Sequence, residues 1–220
     1  MPTEHWPLPG LRVRAPRVEL RLPTEPELFE LADRAAHGVV APGTRPFRSD
    51  WAYGTPAERA RAVLRAHWRS QANWTPEDWS LPLAVFLDGH PIGVQSIRAK
   101  EFAVRRETLS GSWLTLPHHG RGLGTEARAA MLHLAFAGLR AEDAASASFT
   151  DNAASIAVSR KLGYRPDGLE RENRHGEPAT TQRFRLTRAD WTATTRPRIT
   201  LDGLAPCAEL FGLPPDEDRS

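Results

Sequence analysis

The chain has 220 residues, of which 40% are hydrophobic, 25% charged and 8% aromatic. These proportions are typical of one globular domain, and a chain of this length buries enough apolar surface to fold without a metal or a disulfide. The single cysteine, Cys207, excludes an intramolecular disulfide and a cysteine-clustered metal site. No apolar run approaches the roughly 18–20 residues of a membrane span, and the first residues lack a signal-peptide pattern. We therefore expect a cytoplasmic protein with no membrane partner.

Arginine carries almost all of the positive charge. Lysine and arginine together number 29 against 27 acidic residues, which gives a net charge of +2. The arginines alternate with acidic residues, as in Arg17-Val18-Glu19-Leu20-Arg21, instead of forming one basic stripe. Nucleic acid is therefore not an expected partner.

The first predicted elements are a strand and two helices. Apolar and polar residues alternate from Val18 to Leu22, which is the period of a half-buried strand. From Pro26 to Gly38, apolar residues recur at helical spacing, and the glycine stands where a helix ends. Thr55, Pro56 and Glu58 then form the start signal of a second helix, with a capping threonine, a proline at the first position and a glutamate at the third.

A hairpin and a third strand follow. The runs Leu81 to Leu87 and Ile92 to Ile97 predict two strands joined by the turn Asp88-Gly89-His90-Pro91. Residues alternate again from Glu107 to Leu116 and predict a strand that ends at Pro117. We expect these strands to be antiparallel.

The second half of the chain alternates helices with strands. A glycine-rich turn opens a helix that runs through Gly138, and a strand of small residues spans Ala144 to Phe149. A helix from Asn152 to Leu162 follows, and further strands begin at Tyr164 and span Thr181 to Leu186. This order predicts one α/β (α+β) domain with helices packed on a sheet.

The hydrophobic pattern weakens from about Asp190 onward. We therefore predict a domain over residues 1–190 and a C-terminal extension over residues 191–220. A short apolar helix could lie within Leu201 to Leu213. With it the extension would dock on the domain or on a neighbouring subunit of a homo-oligomer, with a dimer as the expected form.

The segment that carries chemistry is the turn with Gly120, Gly122 and Gly124. Glycines at alternate positions let backbone N–H groups point inward, and the positive end of the next helix lies behind them, as in a phosphate-binding loop. The turn has no lysine, which excludes a P-loop. Glu142 and Asp143 precede the next strand instead of ending it, which disfavours a dinucleotide fold. A turn that only joins strand to helix is the alternative.

With the segment that follows, this turn resembles the GNAT superfamily of N-acyltransferases, which use acyl-coenzyme A. The family's pyrophosphate loop, Gln/Arg-x-x-Gly-x-Gly/Ala, is matched from His119 to Gly124, with histidine at the first position. Asn152, Ser155 and Lys161 to Tyr164 match the family's downstream Asn-x-x-Ser/Ala and Lys-Leu-Gly-Phe/Tyr. The branch it is most similar to acylates ribosomal-protein N-termini and includes actinobacterial members, some of which prefer succinyl-CoA. The resemblance covers about Pro16 to Trp191.

The resemblance implies a GNAT fold, in which a mixed, mostly antiparallel sheet is flanked by helices and two strands splay apart to admit the donor, acetyl-CoA or succinyl-CoA. It implies that the loop amides hold the pyrophosphate, that the preceding strand edge pairs with the pantetheine arm, and that the next helix contacts the coenzyme. The residues implied in donor binding are Leu114, Thr115, Leu116, His119, Gly120, Arg121, Gly122, Leu123, Gly124, Thr125, Asn152, Ser155 and Lys161.

For catalysis, the resemblance implies direct attack of a primary amine on the thioester in a ternary complex. Ser155 would protonate the departing thiolate, and the backbone amide of Leu114 would stabilise the oxyanion. Ser159 stands where many members have a tyrosine acid. An α-amine is partly neutral at pH 7 and needs only water as a base, whereas a lysine acceptor needs a positioned base, for which Glu107 is the candidate.

Several alternatives stay open at this point. The acyl group is acetyl or succinyl, and Arg45, Arg48 or Arg98 could receive a carboxylate. The acceptor is a protein N-terminus, a lysine side chain or a small-molecule amine. A non-catalytic acyl-CoA sensor is the competing function. The adjacent side chains of His118 and His119 point apart on extended chain, so no metal is expected.

Overall fold

The computed structural model describes residues 4–214. In this part of the chain nine strands form one sheet in the order β7-β8-β6-β5-β4-β3-β2-β1-β9. Neighbouring strands are antiparallel, apart from the parallel pair β5 and β6. The strands are β1 (Arg12–Arg14), β2 (Val18–Arg21), β3 (Asp78–Leu87), β4 (His90–Lys100), β5 (Glu107–Leu114), β6 (Asp143–Phe149), β7 (Arg165–Arg174), β8 (Glu177–Thr187) and β9 (Thr200–Asp202).

Six α-helices accompany the sheet within the described residues. They are α1 (Glu25–Ala36), α2 (Pro56–Ala72), α3 (Phe102–Arg105), α4 (Leu123–His133), α5 (Ala153–Lys161) and α6 (Arg188–Thr192). The predicted fold class, a mixed and mostly antiparallel sheet flanked by helices, is confirmed. The helix predicted to run through Gly138 is α-helical to His133 and continues as a π-helical turn over Leu134–Gly138.

Reciprocal side-chain caps start the first two helices. At α2, the backbone N–H of Glu58 donates to Thr55 Oγ1 at 3.3 Å, and the Glu58 carboxylate accepts from the Thr55 N–H at 2.7 Å. Thr24 and Glu27 form the same capping box at α1. Each box satisfies N–H groups that the first turn of a helix leaves without a partner. The predicted start of the second helix is confirmed.

The predicted hairpin is also confirmed. Its turn residues Asp88 and Gly89 have φ angles of 51° and 82°, and two consecutive positive φ angles fit the twist of antiparallel strands. The two strands extend as far as Asp78 and Lys100. They form the centre of the sheet.

The two faces of the sheet bury separate cores. One face of β3, which includes Leu83 and Val85, packs with α4 and its buried Met131. The alternate residues Ala84 and Phe86 pack with α1 and α2 on the other face. Successive side chains of a strand point to opposite faces, so α4 lies on the face opposite α1 and α2.

The C-terminal segment adds a strand and a 3-10 turn to the same core. Strand β9 pairs with β1, and the turn Ala205–Phe211 buries Cys207 and Phe211 completely. The indole N–H of Trp74 donates to the Leu210 carbonyl at 2.7 Å. The short apolar helix predicted here is thus a 3-10 turn preceded by a strand. Residues 215–220 of the predicted extension lie outside the described residues.

Candidate functional site

Strands β5 and β6 are paired over only part of their length. Their register joins Glu107 with Asp143, Thr108 with Ala144, and Leu109 with Ala145. Both strands continue beyond these pairs, β5 to Leu114 and β6 to Phe149. We call residues 110–114 of β5 and residues 146–149 of β6 the splay. An edge of unpaired backbone groups is costly unless a ligand or water completes it, so the splay is a place for a ligand to enter.

The backbone of β5 turns its free N–H groups into the splay. The Thr115 N–H donates to the Ile92 carbonyl at 2.9 Å, on the side of β4. Because backbone groups alternate in direction along a strand, the N–H groups of Leu114 and Ser112 point to the opposite side. The strand edge that we predicted to pair with the donor therefore ends at Leu114 and does not include Leu116. The Leu116 N–H donates to the Gly38 carbonyl at 3.2 Å and lies in a 3-10 turn, so it is already used within the chain.

The glycine-rich loop follows the splay directly. Gly120 and Gly122 have φ angles of 72° and 78°, in the left-handed region that favours glycine. Gly122 is the N-cap of α4, and no side chain caps the first turn of this helix. The N–H groups of that turn, together with the positive end of the helix, are therefore available to an anion.

Arg17 places a guanidinium, paired with Glu126, beside this loop. Its guanidinium donates to the Arg121 carbonyl at 3.2 Å, and a Glu126 oxygen holds its Nε at 2.7 Å. A Cβ placed on Gly122 would lie 3.5 Å from the same guanidinium. Sequence patterns could not identify Arg17, because it lies just before β2, about a hundred residues before the loop.

The two loop histidines have separate partners. His119 Nε2 lies 2.8 Å from the Leu114 carbonyl, so the ring bridges the loop and the splay. His118 Nδ1 lies 2.8 Å from Thr115 Oγ1. Burial lowers the pKa of His118, and the positive charges of Arg121 and Arg34 act in the same direction. Within residues 4–214 no three histidine, cysteine or acidic side chains come together as metal ligands.

Asn152 and Ser155 lie at the start of α5, directly after the β6 side of the splay. Asn152 is the N-cap, and its Oδ1 accepts the Ser155 N–H at 3.1 Å. This cap uses neither the amide nitrogen of Asn152 nor the hydroxyl of Ser155. Both side chains are half-buried, which suits contact with a ligand lying between α4 and α5.

The family model of the acetyltransferase (GNAT) domain matches residues 17–165. The chain belongs to the GNAT acetyltransferase family. It is thus an N-acyltransferase that uses an acyl-CoA donor. The splay and the glycine loop are the parts of this chain that fit such a donor, because free strand amides suit the amides of pantetheine and the start of α4 suits a pyrophosphate.

Solved structures share the fold of this GNAT acetyltransferase at low sequence identity. Mycobacterium smegmatis RimJ in complex with CoA-disulfide is 20% identical with a TM-score of 0.60, over 85% of this chain and 95% of that one. RimL, a ribosomal-protein alpha-N acetyltransferase in complex with coenzyme A, has 20% identity and a TM-score of 0.60, over 79% and 95%. The microcin self-immunity acetyltransferase MccE, in complex with acetyl-CoA and AMP, has 15% identity and a TM-score of 0.61, over 78% and 93%.

Two of the predicted site residues lie away from the splay of this GNAT domain. Glu107 is at the paired end of β5, where its carboxylate accepts from Arg185 at 2.8 Å and from Arg105 at 3.4 Å. Seven residues of strand separate it from Leu114, or about 23 Å. Lys161 is exposed in the last turn of α5, at the end opposite Asn152. The structure therefore groups neither residue with the loop.

A cavity of about 520 Å³ opens beside Leu116, on the face of the sheet that packs with α1 and α2. It is lined by the end of α1, residues 40–45, Tyr53 and Arg59. Arg45 lies over the Tyr53 ring at 5.9 Å and has no carboxylate partner in the described part of the chain. Arg48, by contrast, is paired with Glu172. None of the helices over residues 4–214 is long and apolar enough to cross a membrane.

Proposed function

We propose that this enzyme moves an acetyl group from acetyl-CoA to the α-amine of a polypeptide N-terminus by direct attack in a ternary complex. The observation that carries the proposal is the meeting of the splay with the glycine loop at the start of α4, with the 520 Å³ cavity beside Leu116 on the acceptor side. The α-amine acceptor is supported by RimL, a ribosomal-protein alpha-N acetyltransferase of the same fold, and by the position of the candidate base Glu107, which Arg185 holds at the paired end of β5.

The donor would bind along three groups of atoms. The N–H groups of the loop and of the first turn of α4 would hold its pyrophosphate, with Arg17 and Arg121 adjacent. The free backbone edge of β5 in the splay would pair with the pantetheine arm, and the amide nitrogen of Asn152 would donate to this arm from α5. The coenzyme supplies an activated thioester carbonyl and a thiolate leaving group.

The residues of the splay would then act on the reacting atoms. The N–H groups of Leu114 and Ser112 face the opening and would stabilise the negative charge that develops on the carbonyl oxygen. Ser155, one turn into α5, would donate a proton to the departing sulfur. At pH 7 roughly 10–20% of an α-amine is neutral, against about 0.04% of a lysine side chain, so water can serve as the base.

A succinyl donor is the second candidate, and the position of Arg45 favours it. An arginine without a carboxylate partner in the acceptor-side cavity suits a bidentate contact with a second carboxylate, on the acyl group or on the acceptor. Arg45→Gln should then raise the KM for succinyl-CoA about tenfold and leave the KM for acetyl-CoA unchanged. Arg48→Gln is the matched control, because Glu172 already occupies that guanidinium.

The test is amine-dependent release of free coenzyme A from acetyl-CoA and from succinyl-CoA. The acceptor panel contains short peptides with free N-termini, the same peptides with blocked N-termini and free lysines, and small amines. Release with the free N-termini alone is the expected result. Release with the lysine-only peptides would overturn the α-amine acceptor, and binding without release from any amine would favour the acyl-CoA sensor. The homodimer and the cytoplasmic location stay predictions.

A further inference from the structure

Arg128 is a buried cation without an anion. It lies on α4, is 5% exposed, and donates from Nη1 to Ser159 Oγ at 3.1 Å and from Nη2 to Ser112 Oγ at 3.3 Å. Its Nε is buried and has no hydrogen-bond partner among the described residues. No carboxylate of residues 4–214 forms an ion pair with it. Burial lowers the pKa of Arg128, with only a weaker opposing effect from Tyr164.

A buried charge without a counter-ion lowers the stability of the folded protein. Moving a charge out of water has a large desolvation penalty, and hydrogen bonds to neutral hydroxyls do not compensate for it. An arginine stays protonated even so, because its ordinary pKa is above 12. A buried arginine bound only by serines therefore marks a place where negative charge arrives with a ligand or forms during a reaction.

Arg128 reaches the splay through its hydrogen bond to Ser112. Ser110 and Ser112 lie on the α4-facing side of β5, and Ser148 lies at the matching level of β6. The hydroxyl of Ser148 is buried without a partner among the described residues, like the Arg128 Nε, and the hydroxyls of Ser110 and Tyr164 are buried beside each other. We call Arg128 and these groups, with Ser112 and Ser159, the Arg128 cluster. The cluster is a buried polar and cationic group that reaches the splay at Ser112.

We propose that Arg128 stabilises the negative charge that forms on the leaving sulfur of the donor, an inference that rests on the proposed function. In that step the amine nitrogen bonds to the carbonyl carbon, and the carbon–sulfur bond breaks with its electron pair retained by sulfur. The amine proton passes to water. The sulfur keeps its charge beside Arg128 until Ser155 or water returns a proton.

Two other anions fit the position less well. A pyrophosphate would sit on the first turn of α4, before Arg128, whereas the Arg128 guanidinium turns inward to Ser112 and Ser159. A carboxylate at the end of a succinyl group would extend toward the acceptor cavity, where Arg45 lies. The leaving sulfur is the anion that forms within the splay itself.

The direct test compares the binding of free coenzyme A and desulfo-coenzyme A to the protein as a function of pH. A cation beside the sulfur lowers the thiol pKa from its ordinary value of about 8.5. The affinity for coenzyme A, relative to the desulfo analogue, should then rise at least about tenfold between about pH 6 and about pH 10, since one pKa unit corresponds to a tenfold change. Because the desulfo analogue has the same phosphates and meets the same protein side chains, it controls for every pH effect that does not involve the sulfur.

Arg128→Met removes the charge and keeps the volume of an unbranched side chain. It should abolish the pH dependence of the affinity ratio, lower kcat with acetyl-CoA about 100-fold and change the KM for acetyl-CoA less than about threefold. Arg128→Lys, which keeps the charge, should keep the pH dependence. Arg160→Met, an exposed change on α5, is the matched control and should behave as wild type.

Stability separates this role from a structural one. Replacing an uncompensated buried charge by a hydrophobic side chain is often neutral or stabilising, so Arg128→Met should melt no lower than wild type. A large drop in its melting temperature would indicate that Arg128 serves the fold and would overturn the proposal. If the variant fails to fold, the same conclusion holds.

The remaining outcomes are equally decisive. A flat affinity ratio in the wild type, or the same pH dependence in Arg128→Met, would exclude a contact between Arg128 and the sulfur. A raised KM for succinyl-CoA alone would assign Arg128 to the acyl carboxylate instead. If neither coenzyme A nor its desulfo analogue binds at any pH, the proposed function fails, and the inference fails with it.

Discussion

The two edges of β5 differ in how far they are paired with a neighbouring strand. Toward β4, six residue pairs run without interruption from Gly93 with Leu114 to Arg98 with Leu109. Toward β6, pairing stops after three. The same strand thus has one edge completed by the fold and one edge left for a ligand.

The side chains follow the same division. On the face toward α4, the β4 edge has the apolar Ile97, which is 1% exposed, and the fully buried Gln95, which lies opposite Ser112. The β6 edge has serines, and the buried hydroxyl of Ser148 has no partner among the described residues. Stability in this molecule comes from the closed edge, whereas the open edge gives up stability to keep space and polar groups for the donor.

The largest expected effect is a difference in stability between a variant on the β4 side of β5 and a variant on its β6 side. Ile97→Ala should lower the free energy of unfolding by about 2–5 kcal/mol, because it opens a cavity in the core. Ser148→Ala removes a buried hydroxyl that lacks a partner and should leave the stability unchanged or slightly raised. Urea denaturation of both variants without ligand measures the difference. Equal losses at the two sites would contradict the division of roles.

The next effect concerns the glycine loop. Gly122→Val forces a β-branched residue into the left-handed region and places its side chain against Arg17, where the donor's pyrophosphate would lie. The Kd for coenzyme A should rise about 100-fold or more. Calorimetric titration measures it.

Gly89→Val is the matched control for this loop variant. Gly89 has a similar φ of 82° but lies in the β3–β4 turn. It should show the same conformational strain with an unchanged Kd. A normal Kd for Gly122→Val would exclude the loop from donor binding.

Ser155→Ala should have a smaller effect, and on turnover alone. Removing the hydroxyl leaves the Asn152 cap intact, because that bond uses the Ser155 backbone N–H. We expect kcat to fall about 10- to 100-fold while the Kd for acetyl-CoA stays within about twofold. Ser70→Ala, in α2, is the control. Wild-type kcat at saturating donor would remove Ser155 from the mechanism.

The smallest expected effect is a change in stability at Glu27, in the first turn of α1 and away from the splay. A hydrogen bond from Arg21 lowers the pKa of Glu27 from 4.5 to about 2, with Thr24 acting in the same direction. A carboxylate with a depressed pKa stabilises the fold above its unfolded pKa, and this contribution disappears as the pH falls toward the folded value. Glu27→Gln should therefore cost about 1 kcal/mol at pH 7.

The pH dependence provides the control for that variant. The stability difference between wild type and Glu27→Gln should shrink between about pH 4.5 and about pH 2, and coenzyme affinity at pH 7 should not change. A difference that is constant with pH would show that the ion pair with Arg21 does not carry it.

The sequence predicted those features that depend on local pattern. Long alternating or helical runs identified the hairpin and the main helices, and the glycine spacing identified the loop. Strands β1 and β9 were missed because three residues are too few to show a period. For the same reason Leu201 was assigned to a helix, although it pairs with Val13 in the sheet.

The candidate site was predictable only where its residues are close in sequence. Alternation placed Glu107 on a face of β5 but could not show that Arg185 would bind it at the paired end of the strand. Arg17 and Arg128 were missed because their roles depend on packing between distant elements. A buried position cannot be read from an arginine in a helix, where most arginines are exposed.

The most direct measurement is calorimetric titration of the wild-type protein with coenzyme A, acetyl-CoA and succinyl-CoA, with NAD as the control. The splay and the loop together predict binding of the coenzyme A series at one site per chain, and none of NAD. Equal binding of NAD would mean that the loop recognises only a pyrophosphate. No binding of any of them would mean that the open edge of β5 is not a donor site, which would contradict the account at its centre.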